Sequence, residues 1–150
     1  MPQGQDAVTR PDVLARALPA GAVVQLDEAL TLEPEPRQVS SARRFVARVA
    51  PDLDEDTGDT LLLLTSELVT NAVVHARTEL EVAVTLTDED VVVAVHDLDL
   101  GRREQRPGDR DGGRGLVLVR SLAADSGMVV HPEGGKSAWF RLHLSPAPSA

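Results

Sequence analysis

There is no cysteine in the 150 residues. Disulfides, zinc fingers and thiol catalysis are therefore excluded. A long apolar tract is missing too. The best candidate, Leu61 to Ala76, is interrupted by Thr65, Ser66, Glu67, Thr70 and Asn71, so a bilayer-spanning helix is not expected. The N-terminus lacks a basic region followed by an apolar stretch, and no signal peptide is expected from it. Excess positive charge is also absent: the formal net charge is -9, which argues against direct nucleic-acid binding. Lysine is nearly missing, since Lys136 is the one lysine among 15 basic residues. These absences fit a cytoplasmic protein that meets neither membrane nor nucleic acid. What remains is 42% hydrophobic, enough for one core in a chain of this length.

Hydrophobic periodicity divides the chain. Residues 1–25 contain prolines and glycines without a sustained period and read as a flexible N-terminal arm, in which Pro11 to Leu18 have the makings of one or two helical turns. Leu26 to Glu33 reads as a strand stopped by Pro34 and Pro36. Val39 to Val49 carries apolar residues at Val39, Ala42, Val46 and Val49 and basic ones at Arg43, Arg44 and Arg48, the spacing of an amphipathic helix. Carboxylates from Asp52 to Asp56 open the next helix, where they complement its dipole. That helix is expected to run to about Ala76. Leu80 to Leu86 and Val91 to Val95 read as a hairpin around Thr87-Asp88-Glu89-Asp90. Residues 98–112 mix charges of both signs with Pro107 and three glycines, and are expected to form a loop that closes over a ligand. A helix over Leu116 to Asp125 and strands over Gly127 to Val130 and Ser137 to Leu144 complete the order, with residues 146–150 a disordered tail. Uneven alternation of helices with hairpin-linked strands implies a layer of helices on a mostly antiparallel sheet, an α+β arrangement.

The chemistry concentrates in three places. Glu67 and Asn71 lie four apart on an otherwise apolar helix, so both project from one side. A carboxylate and an amide in such a setting need a partner. A metal ion with a polar ligand would supply it, and so would an internal hydrogen-bond network. Next, the apolar run Val91 to Val95 leads through His96 into Asp97-Leu98-Asp99-Leu100-Gly101. Finally, Gly112-Gly113-Arg114-Gly115 opens into the apolar run that begins at Leu116. Glycines let backbone N–H groups approach a ligand, and a helix N-terminus favours an anion. A polyphosphate would suit that turn, although a tight turn alone also explains it.

In this order the segments resemble the nucleotide-binding motifs of the GHKL ATPase superfamily, which includes gyrase and the histidine kinases. Ser66-Glu67-Leu68-Val69-Thr70-Asn71-Ala72 is similar to its N box, Asp97 to Gly101 to its first glycine box, and Gly113-Arg114-Gly115-Leu116 to its second. The closing Gly135-Lys136-Ser137-Ala138-Trp139-Phe140 is similar to the last strand of the anti-sigma-factor serine kinases of the SpoIIAB and RsbW type, including short actinobacterial regulators. The scarcity of lysine, as in a GC-rich genome, matches that branch. The resemblance covers about residues 30–145. It implies a Bergerat fold, a two-layer α/β sandwich with helices on one face of a mostly antiparallel mixed sheet, as a single ATP-binding domain over residues 26–145.

The resemblance also implies roles. Asn71 would hold Mg²⁺ beside the ATP phosphates and Glu67 would act as general base. Asp97 would accept a hydrogen bond from the adenine amino group, Gly101 would let the chain pass the base, and Gly113, Arg114, Gly115 and Leu116 would cradle phosphates. Ser137 would hold a water between itself and Asp97. The implied activity is an Mg·ATP-dependent serine/threonine kinase that binds a sigma factor and phosphorylates a STAS-type anti-anti-sigma protein, with a homodimer left open. One departure stands out: Asp99 replaces the first glycine of the first glycine box. A carboxylate there would repel a triphosphate. It leaves open the alternative of a non-catalytic switch that senses nucleotide, or lacks it, and sequesters a partner.

Overall fold

The computed structural model describes residues 12–75, 78–97, 114–132 and 134–144. Residues 12–17 form a short helix, α1. Then follow β1 (Leu26–Leu32), α2 (Gln38–Val49), α3 (Glu55–His75), β2 (Leu80–Leu86), β3 (Asp90–Asp97), α4 (Arg114–Leu122), β4 (Asp125–Val130) and β5 (Lys136–His143). The five strands make one sheet in the order β1-β2-β3-β5-β4. All four pairings among them are antiparallel. The fold is α+β, with α2, α3 and α4 layered on one face of the sheet.

Period two in the strands decides which residues face those helices. Val82, Val84, Val91, Val93, Val95, Phe140 and Leu142 point into the main core, where they meet Ala42, Phe45 and Val46 of α2 and Leu61, Leu64, Leu68 and Val69 of α3. The α2 stripe is the one its spacing predicts, and its arginines stay exposed. Helix α3 starts where Asp54 caps it: the Thr57 backbone N–H donates to Asp54 Oδ1 at 2.8 Å. The hydrogen bonds from Thr57 hold the Asp54 carboxyl below the usual carboxylate range.

The other sheet face is also covered. Within the expected arm, α1 lays Val13 and Ala17 against Val92, Ala94, Val129 and Trp139 as a second, smaller core. That is why β3 is buried along nearly its whole length. A strand apolar on both sides reads as a continuous hydrophobic run.

Two other boundaries differ from expectation. Helix α4 stops at Leu122 and β4 begins at Asp125, although Ala123 and Ala124 are good helix formers. The Ala124 N–H donates to Arg141 O at 2.8 Å, so pairing with β5 takes this segment from the helix. Residues 98–112, the expected closing loop, lie outside the described residues, as does the tail over 146–150.

The β4–β5 pair has one tight contact. Gly127 stands opposite Trp139, and a Cβ at Gly127 would lie 2.9 Å from three indole atoms. The indole occupies the space a side chain would take. Gly127→Ala should therefore cost about 1–3 kcal/mol through overpacking, measured by thermal or denaturant unfolding. An unchanged unfolding midpoint would mean that the indole has room to shift.

Candidate functional site

Helix α3 carries the site's first two groups because it is pressed against the middle of the sheet. It packs on β3 and β5 and lies against both α2 and α4 in the helix layer. Its buried stripe runs Leu61, Leu64, Thr65, Leu68 and Val69. Glu67 and Asn71 flank that stripe and are half-buried.

Some polar side chains of this helix find partners within it, and others, Thr60 and His75 among them, have none among the described residues. Thr65 Oγ1 donates to Leu61 O at 2.8 Å and Ser66 Oγ donates to Leu62 O at 2.9 Å. These hydroxyls are satisfied within their own helix, a common solution for Ser and Thr. Glu67 and Asn71 are different. Among the described residues neither side chain makes a hydrogen bond or an ion pair. The internal network that would have explained them is not formed by the described part of the chain.

Asp97 is the last residue of β3 and is half-buried. It follows Val91, Val93 and Val95 on the helix-facing side of the strand, so it lies on the same sheet face as α3. Helix α4 starts at Arg114 and has no acidic residue in its first turn. Among the described residues no carboxylate of that first turn offsets the partial positive charge of the N-terminus, which favours an anion. Leu116 is partly buried against the main core and ties that first turn to the domain. Gly101 and Gly113 lie outside the described residues. Gly115 is the second residue of α4.

Ser137 does not join this group. In the β3–β5 register Asp97 stands opposite Lys136, and His96 stands opposite Ser137. Neighbouring residues of a strand point to opposite faces, so Ser137 belongs to the face under α1. There its buried hydroxyl contacts His96 Nδ1 and lies 2.7 Å from His131 Nε2. Glu81 Oε1 stands 4.0 Å from His96 Nε2. A hydroxyl can accept from one imidazole and donate to the other, so Ser137 is engaged in this buried group on the face away from α3. The residue beside Asp97 is Lys136, which sequence reading passed over. The missing signal was strand pairing, which sets the parity.

Asn71 and Glu67 on α3, Asp97 at the end of β3 and the start of α4 all belong to elements on the helix-covered side of the sheet: an amide oxygen, a carboxylate one turn from it, a carboxylate at a strand end, and a helix terminus. Chemically, the set offers a hard-cation ligand, a base, an acceptor for an amino group and an anion cradle. None of the helices among the described residues is long and apolar enough to cross a membrane.

Comparison with known proteins agrees with this fold. The family described as "Histidine kinase-like ATPase domain" matches residues 32–141. No curated protein matches the chain. Among solved structures, the RsbU and RsbW domains of Rv1364c from Mycobacterium tuberculosis are similar in fold, with a TM-score of 0.57 and 22% identity over 84% of this chain and 35% of that one. The present chain therefore spans about a third of the length of that solved chain.

Proposed function

We propose, since the chain belongs to the histidine kinase-like ATPase domain family, that it binds Mg·ATP on the helix-covered sheet face and acts as an anti-sigma-factor-like regulator. The observation that carries this reading is the pair Glu67 and Asn71. Both are half-buried, lie one turn apart on one flank of α3, and lack a side-chain partner among the described residues, whereas the neighbouring Thr65 and Ser66 hydroxyls are satisfied within the helix. The fit of the donor set supports it further. Asn71 offers a neutral oxygen, which suits Mg²⁺. Asp97 sits at the end of an apolar strand, where an acceptor for the adenine amino group would be partly shielded from water. The α4 N-terminus, with no acidic residue in its first turn, suits phosphate. When bound, Mg²⁺ would neutralise phosphate charge.

For the activity, we infer transfer of the γ-phosphoryl group to a serine or threonine of a STAS-type protein, with a sigma factor as the sequestered partner. The incoming hydroxyl oxygen bonds to the γ-phosphorus, the bond to the β,γ-bridging oxygen breaks, and ADP leaves. Glu67 takes the hydroxyl proton. Such chemistry asks the protein for positioning and charge stabilisation, and the groups named can provide both. The similar solved chain from M. tuberculosis includes an RsbW domain, which supports the anti-sigma reading at the level of fold.

The switch without chemistry is favoured by one specific feature, Asp99 in place of a glycine. The test that separates binding from no binding is thermal unfolding with millimolar ATP, with and without Mg²⁺. A rise in melting temperature that needs both is the expected result. No rise under any condition removes the nucleotide reading.

A further inference from the structure

We infer that Lys136 is a second base-reading group, which donates a hydrogen bond to ring nitrogen N1 of an adenine whose amino group is held by Asp97. The inference rests on the proposed ATP site and extends it to how the base is chosen.

Four observations meet at this residue. Lys136 is directly opposite Asp97 in the antiparallel β3–β5 pair, and directly opposed residues have Cβ atoms only about 4.5–5.5 Å apart. Both side chains belong to the helix-covered face, since Ala138 and Phe140 on β5 and Val95 on β3 continue into the main core on that side. Lys136 is half-buried and is the chain's single lysine. Among the described residues it makes no hydrogen bond or ion pair, whereas Asp97 does have a partner. A half-buried lysine whose ammonium has no partner among the described residues, beside a carboxylate that has one, is placed to meet something else.

The turn before β5 fixes this position. Gly134 and Gly135 have φ of 115° and 81°, conformations that other residues rarely adopt. They bring the chain into the sheet at Lys136 and so set which residue of β5 faces Asp97.

The chemistry points to one edge of adenine. That edge presents an amino donor next to a ring-nitrogen acceptor. A carboxylate reads the first and cannot read the second. An ammonium on a flexible stem reads the second. With apolar Val95 and Ala138 next in line on the same face, a charge-assisted hydrogen bond there is stronger than in water. Asp97 alone would accept any purine or pyrimidine amino group. Asp97 with Lys136 would require the donor and the acceptor side by side.

The test uses ATP and 1-deaza-ATP, in which N1 is a C–H, with wild type and with Lys136→Met and Lys136→Thr. Binding is followed by calorimetry, and melting temperatures check that each variant folds. Wild type should bind ATP at least about tenfold more tightly than 1-deaza-ATP, the effect of losing one charged hydrogen bond. Both variants should bind the two nucleotides about equally. Equal binding of both by wild type, or a preference that survives in the variants, overturns the inference while leaving the ATP site intact. Tighter binding of GTP than of ATP by wild type also overturns it, by placing the ammonium on O6. Failure of wild type to bind ATP at all takes down the proposed site and this inference together, and is told apart from the other outcomes by that alone.

Discussion

Asn71→Ala should abolish the Mg²⁺-dependent part of the ATP-induced stabilisation. A ligand that binds only the folded state at a hundred times its dissociation constant adds about 2.7 kcal/mol. For a chain of this size that is a rise in melting temperature of roughly 5–10 °C. The amide of Asn71 is half-buried on α3 and has no side-chain partner among the described residues. Removing it therefore breaks no hydrogen bond in the described fold. The ligand-free variant should melt within about 1–2 °C of wild type, as expected for a substitution that disturbs neither packing nor a network. Loss of response to Mg·ATP with an unchanged ligand-free protein would separate a binding role from a structural one. A full Mg²⁺-dependent shift in the variant would remove Asn71 from the site.

That expectation was available from the sequence because Asn71 and Glu67 interrupt an apolar helix at a spacing that forces one side. Helix α2 was legible for a related reason. It has a single apolar stripe: of the residues expected inside, Ala42, Val46 and Val49 are buried and Val39 is half-buried, and Phe45 joins them. Strand β1 ends where Pro34 and Pro36 forbid its continuation, with Leu32 the last paired residue. In each case the deciding interaction is local, or depends on one face of one element.

What stayed hidden depends on pairing between distant segments. Ser137 and Lys136 are neighbours in the chain, and the face each occupies is set by the register of β5 against β3. A one-residue change in register moves every side chain to the other face. Nothing in Gly135-Lys136-Ser137-Ala138 states that register. It follows from the glycine turn, from burial of Phe140 in one core and of Trp139 in the other, and from the hydrogen bonds of the completed sheet. The cover of the second sheet face was hidden for the same reason. Val13 and Ala17 are two apolar residues in a stretch with no sustained period, and they are buried only because Val92, Ala94 and Trp139 present a surface to them. The run Val91 to Val95 contained the clue, since a strand apolar on both faces needs cover on both. The end of α4 shows the same competition: two alanines favour the helix, and the bond from Ala124 to Arg141 O favours the sheet.

Glu67→Gln should leave nucleotide binding nearly unchanged and lower phosphoryl transfer to a STAS-type protein by about 100- to 10,000-fold, the range of a general base. Glutamine keeps the size of glutamate and its capacity to accept a hydrogen bond, and it lacks the basicity. Glu67 lies one helical turn before Asn71, on the same flank of α3 and outside the buried stripe. A base at that position serves the proton of the incoming hydroxyl, and holding the phosphates falls to Asn71 and the α4 terminus. The ground state should therefore keep its contacts, and the loss should appear in kcat with KM for ATP little altered. Folding is not at risk, since the side chain is half-exposed and makes no hydrogen bond or ion pair with described residues. Transfer should be followed with labelled ATP and a STAS-domain substrate, and binding by the Mg·ATP thermal shift. Equal turnover by wild type and variant would take the base role from Glu67. If wild type binds Mg·ATP and transfers phosphate to no partner, and the variant still sequesters its partner, then the chain works as a switch. The carboxylate of Asp99, where the resemblance expects a glycine, would then be the first residue to change in an attempt to restore chemistry.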